Sequence, residues 1–235
     1  MKQGIGRSIR LFRSFLVEQT EPHVFYGELA RDSADLLEQH MKLDGSTFLD
    51  VGAGPEQFAL EFSARGARYF PADLDPTAPS LTFGGVAADA GRLPFGDGSM
   101  DVTFSSNLIE HVPTPTRVAD ELVRVTRAGG LIFIAYTNWW SPWGGHETSP
   151  WHWLGGAYAI RRYSRKHGHL PKNRVGENLF KVSVAWGLEW ARSHPDIEII
   201  ELRPRYLPSW ASVLLRVPIL RELITWNLMI ILRKR

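Results

Sequence analysis

The chain has 235 residues, of which 44% are hydrophobic and 22% charged, with a formal net charge of +2 and no cysteine. These values are typical of one soluble globular domain and exclude a disordered or fibrous chain. The lack of cysteine excludes disulfides, thiolate nucleophiles and cysteine-bound metals, and it fits a reducing compartment.

Neither end of the chain predicts export or membrane insertion. Residues 1–16 lack a continuous apolar segment and a small-residue cleavage site, so we expect no secretory signal. The apolar tail over 213–232 falls short of the roughly 18 uninterrupted apolar residues of a spanning helix, because it contains Arg216, Pro218, Arg221 and Glu222. We therefore expect a cytoplasmic protein without a transmembrane helix.

Two helices are predicted before the first strand. The first is basic and covers residues 7–17, with Ile9, Phe12 and Leu16 at helical spacing. The second covers residues 22–41. We interpret residues 1–41 as a helical cap on a single domain that spans residues 1–235.

Strands and helices alternate from residue 47. Strands are predicted at 47–51, 69–74, 85–88, 100–105 and 131–136, and helices at 56–65 and 116–127. Apolar strands separated by amphipathic helices indicate an α/β fold, in which helices cover both faces of a mostly parallel sheet. After an irregular segment, the pattern predicts a helix at 180–193, a strand at 197–202, an amphipathic helix at 210–223 interrupted at Pro218, and a last, antiparallel edge strand at 226–232.

The most informative segment is the glycine turn after the first strand, Phe48-Leu49-Asp50-Val51-Gly52-Ala53-Gly54. Glycine lets the backbone turn sharply and approach a ligand, and the helix that follows points free N–H groups at the bound molecule. An acid lies about 20 residues further on, at the end of the second strand, where a carboxylate can bind ribose hydroxyls. Asp73 is the favoured residue and Asp75 the less favoured one.

Two further strand ends complete the pattern. The third strand ends in Asp89-Ala90, and the fourth is followed by Asn107-Leu108-Ile109-Glu110-His111. In this order the segments resemble the successive motifs of class I S-adenosylmethionine-dependent methyltransferases of the small-molecule type, above all over residues 45–137.

The resemblance implies a Rossmann-like, seven-stranded, mostly parallel sheet with an antiparallel last strand and an aromatic-rich insert after strand five. It also implies S-adenosylmethionine as cofactor. The residues it assigns to that cofactor are Asp50, Gly52 and Gly54 at the methionine end, Asp73 at the ribose, Asp89 and the Ala90 N–H at the adenine, and Asn107 under the sulfonium.

One residue departs from the family pattern. Glu56 stands where the family usually has a third glycine. Its side chain either points to solvent on the first helical turn, where an acid suits the helix dipole, or weakens cofactor binding. The second case would leave a non-catalytic cofactor-binding or regulatory protein on the same fold.

Two other ligand classes are disfavoured. NAD binding lacks the Gly-x-Gly-x-x-Gly fingerprint, because position 57 is Gln. Nucleic-acid amino methylation would require an Asn-Pro-Pro-aromatic signature, and the chain has Ser105-Ser106-Asn107-Leu108 instead. We expect no nucleic-acid partner, and the residues do not indicate an oligomeric state.

Residues 138–179 form the insert on the predicted substrate side. They hold five of the nine tryptophans, and residues 161–174 contain six Lys or Arg and no acid. Indoles suit an apolar or sugar surface and arginines suit an anion; the alternative is a solvated basic helix over an aromatic minicore. The insert resembles that of methyltransferases of mycobacteria and corynebacteria associated with the lipid-rich cell envelope, which implies a small-molecule or lipid-linked acceptor, methylated on oxygen.

An oxygen acceptor must lose a proton, and histidine is the usual base. His146, oriented by Glu147, is the first candidate, and His111 is the second. The alternative is that His146 and Glu147 only pack the loop against the sheet.

No metal is expected at these residues. Asn107 stands where some related quinone O-methyltransferases carry the first metal-binding carboxylate around the Glu-His pair, so that set is incomplete. A zinc site of His146, Glu147 and His152 is not favoured by its spacing.

The remaining question is contact with a membrane. The basic N-terminal helix and residues 210–223 could rest on an anionic membrane surface, which would place the protein at the inner face of the membrane. The alternative is that the first helix covers the cofactor pocket and the second packs on the sheet.

Overall fold

Seven strands form a single sheet in the order β3-β2-β1-β4-β5-β7-β6. The computed structural model describes residues 4–18 and 20–235. The strands are β1 Thr47–Val51, β2 Arg68–Asp73, β3 Val86–Ala87, β4 Met100–Ser106, β5 Thr126–Thr137, β6 Ile197–Pro204 and β7 Asn227–Lys234. The helices are α1 Ile5–Leu16, α2 Pro22–Leu37, α3 Glu56–Ala64, α4 Pro115–Val125, α5 Gly156–His167, α6 Val184–Ser193 and α7 Pro218–Ile224.

The first five strands are parallel, so their carboxyl ends meet at one edge of the sheet. β1 pairs with both β2 and β4, and β4 pairs with β5. The strand order reverses between β1 and β4, which is the switch point where open α/β sheets bind ligands. The predicted mostly parallel sheet with helices on both faces is confirmed.

The last strand is antiparallel as predicted, but the prediction that it lies at the edge is wrong. β7 is inserted between β5 and β6 and pairs antiparallel with both. The reason is burial: residues 227–232 are all buried, whereas most of β6 is partly exposed. A strand that is apolar on both faces needs neighbours on both sides, so the less apolar β6 takes the edge.

An aromatic stack fills the face of the sheet beneath α2 and α3. The rings of Phe48 and Phe62 lie 4.1 Å apart, and those of Phe104 and Phe133 lie 4.6 Å apart. Leu11 of α1 and Leu29 of α2 belong to the same buried cluster. The described part of the predicted cap therefore completes this core; residues 1–3 and 19 of the predicted 1–41 segment lie outside the described residues.

The first helix presents its predicted apolar side to the outside. Ile9, Phe12 and Leu16 are exposed, while Arg7 and Leu11 are buried. Arg7 forms two 2.6 Å hydrogen bonds with Asp32 of α2 and donates a third, 2.8 Å long, to the Arg205 carbonyl. The buried guanidinium is thus paired and hydrogen-bonded, as a buried charge requires.

Several boundaries differ from the predicted ones. The second helix ends at Leu37, and β5 begins at Thr126, five residues before its predicted start. The Thr126 hydroxyl donates to the Leu122 carbonyl at 2.6 Å and meets the Thr103 hydroxyl at 2.8 Å, so the chain passes directly from α4 into the sheet.

The segment predicted as an interrupted helix over 210–223 is a 3₁₀ helix, Ser209–Arg216, followed by α7. The break falls at Pro218, as predicted, because proline cannot continue a preceding helix. No helix in the described ranges is both long and apolar enough to cross a bilayer.

Candidate functional site

The glycine turn joins β1 to α3 at the switch point of the sheet. Gly52 and Gly54 have φ values of +74° and +38°, in the region that favours glycine. A Cβ atom on Gly52 would lie 2.9 Å from Cδ1 of Leu108. The backbone N–H groups of Gly52 and Ala53 both donate to the Ala72 carbonyl, at 2.8 and 3.3 Å, which ties the turn to β2.

Asp73 faces this turn from the end of β2. Its Oδ2 accepts the Gly54 N–H at 3.0 Å and its Oδ1 accepts the Asp75 N–H at 2.9 Å. The side chain is only partly buried, and a carboxylate has about four acceptor sites. Asp73 therefore keeps free acceptor capacity beside the turn, as a ribose-binding acid needs.

Asp75 has a local structural role instead. It is exposed, and its Oδ1 accepts both the backbone N–H of Thr77, at 2.8 Å, and the Thr77 hydroxyl, at 2.6 Å. These hydrogen bonds from Thr77 lower the pKa of the Asp75 carboxyl. Asp75 thus closes its own loop.

Asp50 lies in the core rather than at the surface of the turn. It is 2% exposed, and its Oδ2 accepts the Tyr69 hydroxyl at 2.5 Å. Burial raises the pKa of the Asp50 carboxyl to about 7, while the hydrogen bond from Tyr69 opposes that rise. A fraction of Asp50 is therefore protonated near neutral pH.

Asp89 and Ala90, the residues assigned to the adenine, lie at or near the surface, as does Glu56, which replaces the third glycine of the family pattern. Asp89 is exposed and its Oδ1 accepts the Gly91 N–H at 2.8 Å, while Ala90 next to it is partly buried. The Ala88 N–H donates to the Asp73 carbonyl at 2.8 Å, which links this loop to the ribose-side acid. Glu56 is exposed on the first turn of α3, where an acid favours the helix dipole.

Asn107 adopts a left-handed backbone conformation after β4, with φ of +59°. Asparagine tolerates this conformation better than most residues. Its N–H donates to the Ala135 carbonyl at 2.7 Å, and its Oδ1 accepts the side-chain amide of Asn227 at 2.8 Å. Asn227, at the start of β7, thus orients the residue assigned to the sulfonium.

Glu110, His111 and His146 come together beside Asn107. One side-chain oxygen or nitrogen from each lies within 4.8 Å of the others, and the two imidazole rings are 5.2 Å apart. Glu110 is 1% exposed. Its Oε1 accepts the Thr137 N–H at 2.9 Å, but its buried Oε2 has no hydrogen-bond partner among the described residues. We call these three residues the Glu-His-His cluster.

The two histidines present nitrogen atoms to this cluster. The buried Nε2 of His146 has no hydrogen-bond partner within the described ranges, and burial lowers the pKa of His146 to about 4. Nδ1 of His111 lies 2.7 Å from the Asn178 carbonyl. Because a carbonyl only accepts, Nδ1 carries the hydrogen and Nε2 of His111 keeps its lone pair.

The structure brings His146 to His111 and Glu110 rather than to Glu147. Both oxygens of Glu147 lie 3.1 Å from the side-chain amide of Asn173. His152 is buried, with Nε2 3.0 Å from the Trp139 carbonyl. The carboxylate beside His146 is thus that of Glu110, and the roles assigned to His146, Glu147 and His111 stay predictions.

The insert has a packed side and an open side. Trp139 is buried, and the ring of Trp143 stacks 4.7 Å from that of Trp226. On the open side the Arg162 guanidinium lies 4.0 Å from the centre of the Trp151 ring. A groove of about 510 Å³ runs along α5 and is lined by Tyr158, Arg161, Arg162, Arg165 and Lys166.

The sequence analysis missed two partners of the site and one contact. Tyr69 holds Asp50, Asn227 holds Asn107, and His146 meets Glu110. Glu110 was considered only together with His111, as an incomplete metal-binding pair. Tyr69 and Asn227 carry no local signal, because each reaches its partner only through the pairing of strands.

Comparisons with known proteins show which family the chain belongs to. Residues 49–134 match the methyltransferase domain family. The chain is 46% identical to an uncharacterized methyltransferase of Mycobacterium sp. (strain KMS), over 97% of this chain and 95% of that protein.

Two solved structures share the fold at low sequence identity. An S-adenosylmethionine-dependent methyltransferase from Mesorhizobium loti matches with a TM-score of 0.58 and 15% identity, over 86% of this chain and 98% of that one. The second is geranyl diphosphate C-methyltransferase from Streptomyces coelicolor A3(2), which was solved with Mg²⁺, geranyl diphosphate and S-adenosyl-L-homocysteine. It matches with a TM-score of 0.57 and 15% identity, over 86% of this chain and 77% of that one.

The similarity to the mycobacterial relative covers 97% of this chain and so reaches well beyond residues 49–134. Both solved structures share the overall fold. The chain therefore belongs to the class I S-adenosylmethionine-dependent methyltransferases, with S-adenosylmethionine as its cofactor.

Proposed function

We propose that this methyltransferase methylates a hydroxyl oxygen of a lipid-linked or glycolipid acceptor. The observation that carries the proposal is the open side of the insert. Trp153, Leu154 and Tyr158 are exposed there, next to the basic groove along α5. An acceptor with an apolar or sugar part and an anionic group complements both surfaces, since indoles bind the first and arginines the second.

The proposed cofactor contacts follow the glycine turn. The sharp turn at Gly52 and Gly54, both with positive φ, and the free acceptor sites of Asp73 fit the methionine and ribose parts of S-adenosylmethionine. When bound, the cofactor supplies an already electrophilic methyl group, so the protein mainly orients the reactants. We assign Asp50, Gly52 and Gly54 to the methionine end, Asp73 to the ribose, Asp89 and Ala90 to the adenine, and Asn107 to the sulfonium.

The acceptor hydroxyl is proposed to meet the Glu-His-His cluster, at the same edge of the sheet as Asn107. His146 and His111 each present an imidazole nitrogen that can take the hydroxyl proton. Glu147 is proposed to support this site by holding Asn173, in the same segment as the Asn178 carbonyl that binds His111.

We also propose peripheral contact with the inner face of an anionic membrane. Four large apolar side chains of α1 point outward: Ile5, Ile9, Phe12 and Leu16. The 3₁₀ helix 209–216 and α7 also expose large apolar side chains: Trp210 is 66% exposed and Ile219 is 78% exposed. An outward apolar surface on amphipathic helices is typical of interfacial binding. Arg13, which is exposed on α1, would favour anionic lipid.

The acceptor is tested by transfer of labelled methyl groups into fractionated lipids from an actinobacterial envelope. We expect label in a lipid fraction and, by mass spectrometry, a methyl group on oxygen. Label confined to water-soluble compounds would rule out the lipid acceptor. Cofactor binding by calorimetry without any transfer would favour the non-catalytic alternative. Asp73→Ala serves as the variant expected to lose activity.

Membrane contact is tested by sedimentation with vesicles that contain phosphatidylglycerol and with vesicles of phosphatidylcholine alone. We expect binding to the anionic vesicles and a clear loss of binding for Ile9→Asp. Leu60→Asp is the matched control, because Leu60 is similarly exposed but lies on α3. Equal binding of wild type and both variants would contradict the assignment of α1 to the membrane.

A further inference from the structure

We propose that Glu110, His111 and His146 bind a divalent transition-metal cation. The three ligating atoms lie within 4.8 Å of one another, and no other group of three histidines or acids in the part of the chain that the structure describes comes together in this way. Glu110 and His111 follow β4, whereas His146 comes from the insert after β5. The site therefore exists only in the folded protein.

Two atoms of the cluster are buried without the partners that such atoms need. Oε2 of Glu110 and Nε2 of His146 are both closed off from solvent and form no hydrogen bond with the described residues. Buried polar atoms are almost always paired, because an unpaired one loses its hydration without compensation. A cation between them would satisfy both atoms at once.

Glu110 and His111 each have a second polar atom, which would not bind the metal and is already held by a hydrogen bond. The Thr137 N–H binds Oε1 of Glu110 at 2.9 Å, and the Asn178 carbonyl binds the Nδ1–H of His111 at 2.7 Å. Metal-binding histidines usually donate their second ring N–H in this way, which fixes the tautomer and the orientation of the ring. Oε2 and Nε2 are left as the ligating atoms.

The chemistry of the ligands selects the class of ion. Two imidazoles and one carboxylate suit Zn²⁺, Mn²⁺, Fe²⁺ or Co²⁺ better than Mg²⁺ or Ca²⁺, which prefer oxygen ligands. In a tetrahedral site, metal–ligand bonds of about 2.0–2.1 Å place two ligand atoms of one ion roughly 3.4 Å apart. The ligand atoms lie within 4.8 Å of one another, so on binding the side chains close by up to roughly 1.4 Å. Three protein ligands leave a coordination position open.

The open coordination position of the metal would face the acceptor hydroxyl. This role of the ion rests on the proposed function. A coordinated hydroxyl ionises more readily, since the positive charge favours the oxyanion. With the ion bound, the O–H bond would break and its proton would pass to water, because Nε2 of His146 would then be a ligand and not the base assigned above. Binding of the ion itself does not depend on which acceptor is used.

The test is titration of the full-length protein, stripped with a chelator, with Zn²⁺, Mn²⁺ and Mg²⁺ in an isothermal calorimeter. We expect one Zn²⁺ per chain, and binding of Mg²⁺ at least tenfold weaker. Loading with Co²⁺ gives a second readout, because visible absorption bands report nitrogen and oxygen ligands directly. Neither measurement requires cofactor, acceptor or activity.

Matched variants locate the ion. Glu110→Gln keeps the Oε1 acceptor for Thr137 but removes the charge, and His146→Gln removes the imidazole; each is expected to weaken Zn²⁺ binding at least tenfold. Glu177→Gln and His169→Gln are exposed controls in the same insert and are expected to bind as wild type does. Circular dichroism checks that each variant folds. If a variant does not fold, His111→Gln takes its place, because His111 is partly exposed and its substitution disturbs the core less.

The outcomes separate this site from the proposed function. Folded wild-type protein that binds no Zn²⁺ at millimolar concentration, or cluster variants that bind as tightly as wild type, would overturn the site. Metal binding without lipid methylation would leave the site standing and refute the proposed acceptor. Lipid methylation that resists chelator, by protein that binds no metal, would refute the site alone.

Discussion

Asp73 accepts the backbone N–H of Gly54, with 3.0 Å between Gly54 N and Asp73 Oδ2. The contact joins the end of β2 to the glycine turn after β1. It means that the acid assigned to the ribose also holds the shape of the turn. Loss of its carboxylate should therefore affect two parts of the cofactor site at once.

Asp73→Ala is expected to weaken binding of S-adenosylmethionine by roughly ten- to a hundredfold. Hydrogen bonds to a charged group contribute about 1.5–3 kcal/mol each, and the turn also loses its anchor. Calorimetric titration with the cofactor measures the change. Asp75→Ala is the control, because the Asp75 carboxylate accepts from Thr77 in its own loop and the backbone N–H that donates to Asp73 is kept. Equal losses for both variants would contradict the assignment to Asp73.

Asp50 is expected to make folding stability depend on pH. The pKa of its carboxyl is raised to about 7 in the folded protein, against about 3.9 in an unfolded chain. Between these values the folded state holds a proton that the unfolded state releases. The free energy of unfolding therefore falls as pH rises from 4 to 7, by at most about 1.4 kcal/mol per pH unit.

Urea unfolding at pH 5, 6 and 7 checks this dependence with Asp50→Asn, which has no charge to bury. We expect its stability relative to wild type to increase steadily with pH. Asp75→Asn is the control, since the pKa of exposed Asp75 is lowered and does not fall in this range. Parallel pH curves for wild type and Asp50→Asn would contradict a raised pKa at Asp50.

Gly52→Ala is expected to lower the free energy of unfolding by about 1–3 kcal/mol and to weaken cofactor binding. The positive φ of Gly52 strains any residue with a Cβ, and the new atom would meet the Leu108 side chain. In a Leu108→Ala background, Gly52→Ala should lower the free energy of unfolding by less than it does in wild type, because the clash with Leu108 is removed. Additive losses in urea unfolding would show that Leu108 is not the obstacle.

Glu56→Gly is expected to change cofactor affinity by less than about fivefold. The Glu56 side chain is exposed on the first turn of α3, and an exposed charge there is worth only about 0.3–1 kcal/mol. Calorimetry with S-adenosylmethionine compares the variant with wild type. Tighter binding by tenfold or more would show that this glutamate impairs the site.

The elements around the cofactor could be predicted because their signals are local. The apolar run of β1, the glycines after it and the acid at the end of β2 each depend on a few neighbouring residues. Parallel pairing then brings the strand ends to one edge, which the α/β alternation already implies. The position of β7 was missed, because it depends on how apolar β6 and β7 are relative to each other.

The amino-acid order alone determined the fold class and the glycine turn, since backbone conformation and hydrophobic periodicity are set over short stretches of chain. The cofactor followed from the resemblance of the motifs to those of class I methyltransferases. Only the tertiary structure decided that α1 turns its apolar side outward, that Asn227 orients Asn107, and that His146 joins Glu110 and His111. These contacts link residues far apart in the chain. Whether they form depends on how the whole sheet, its helices and the insert pack together.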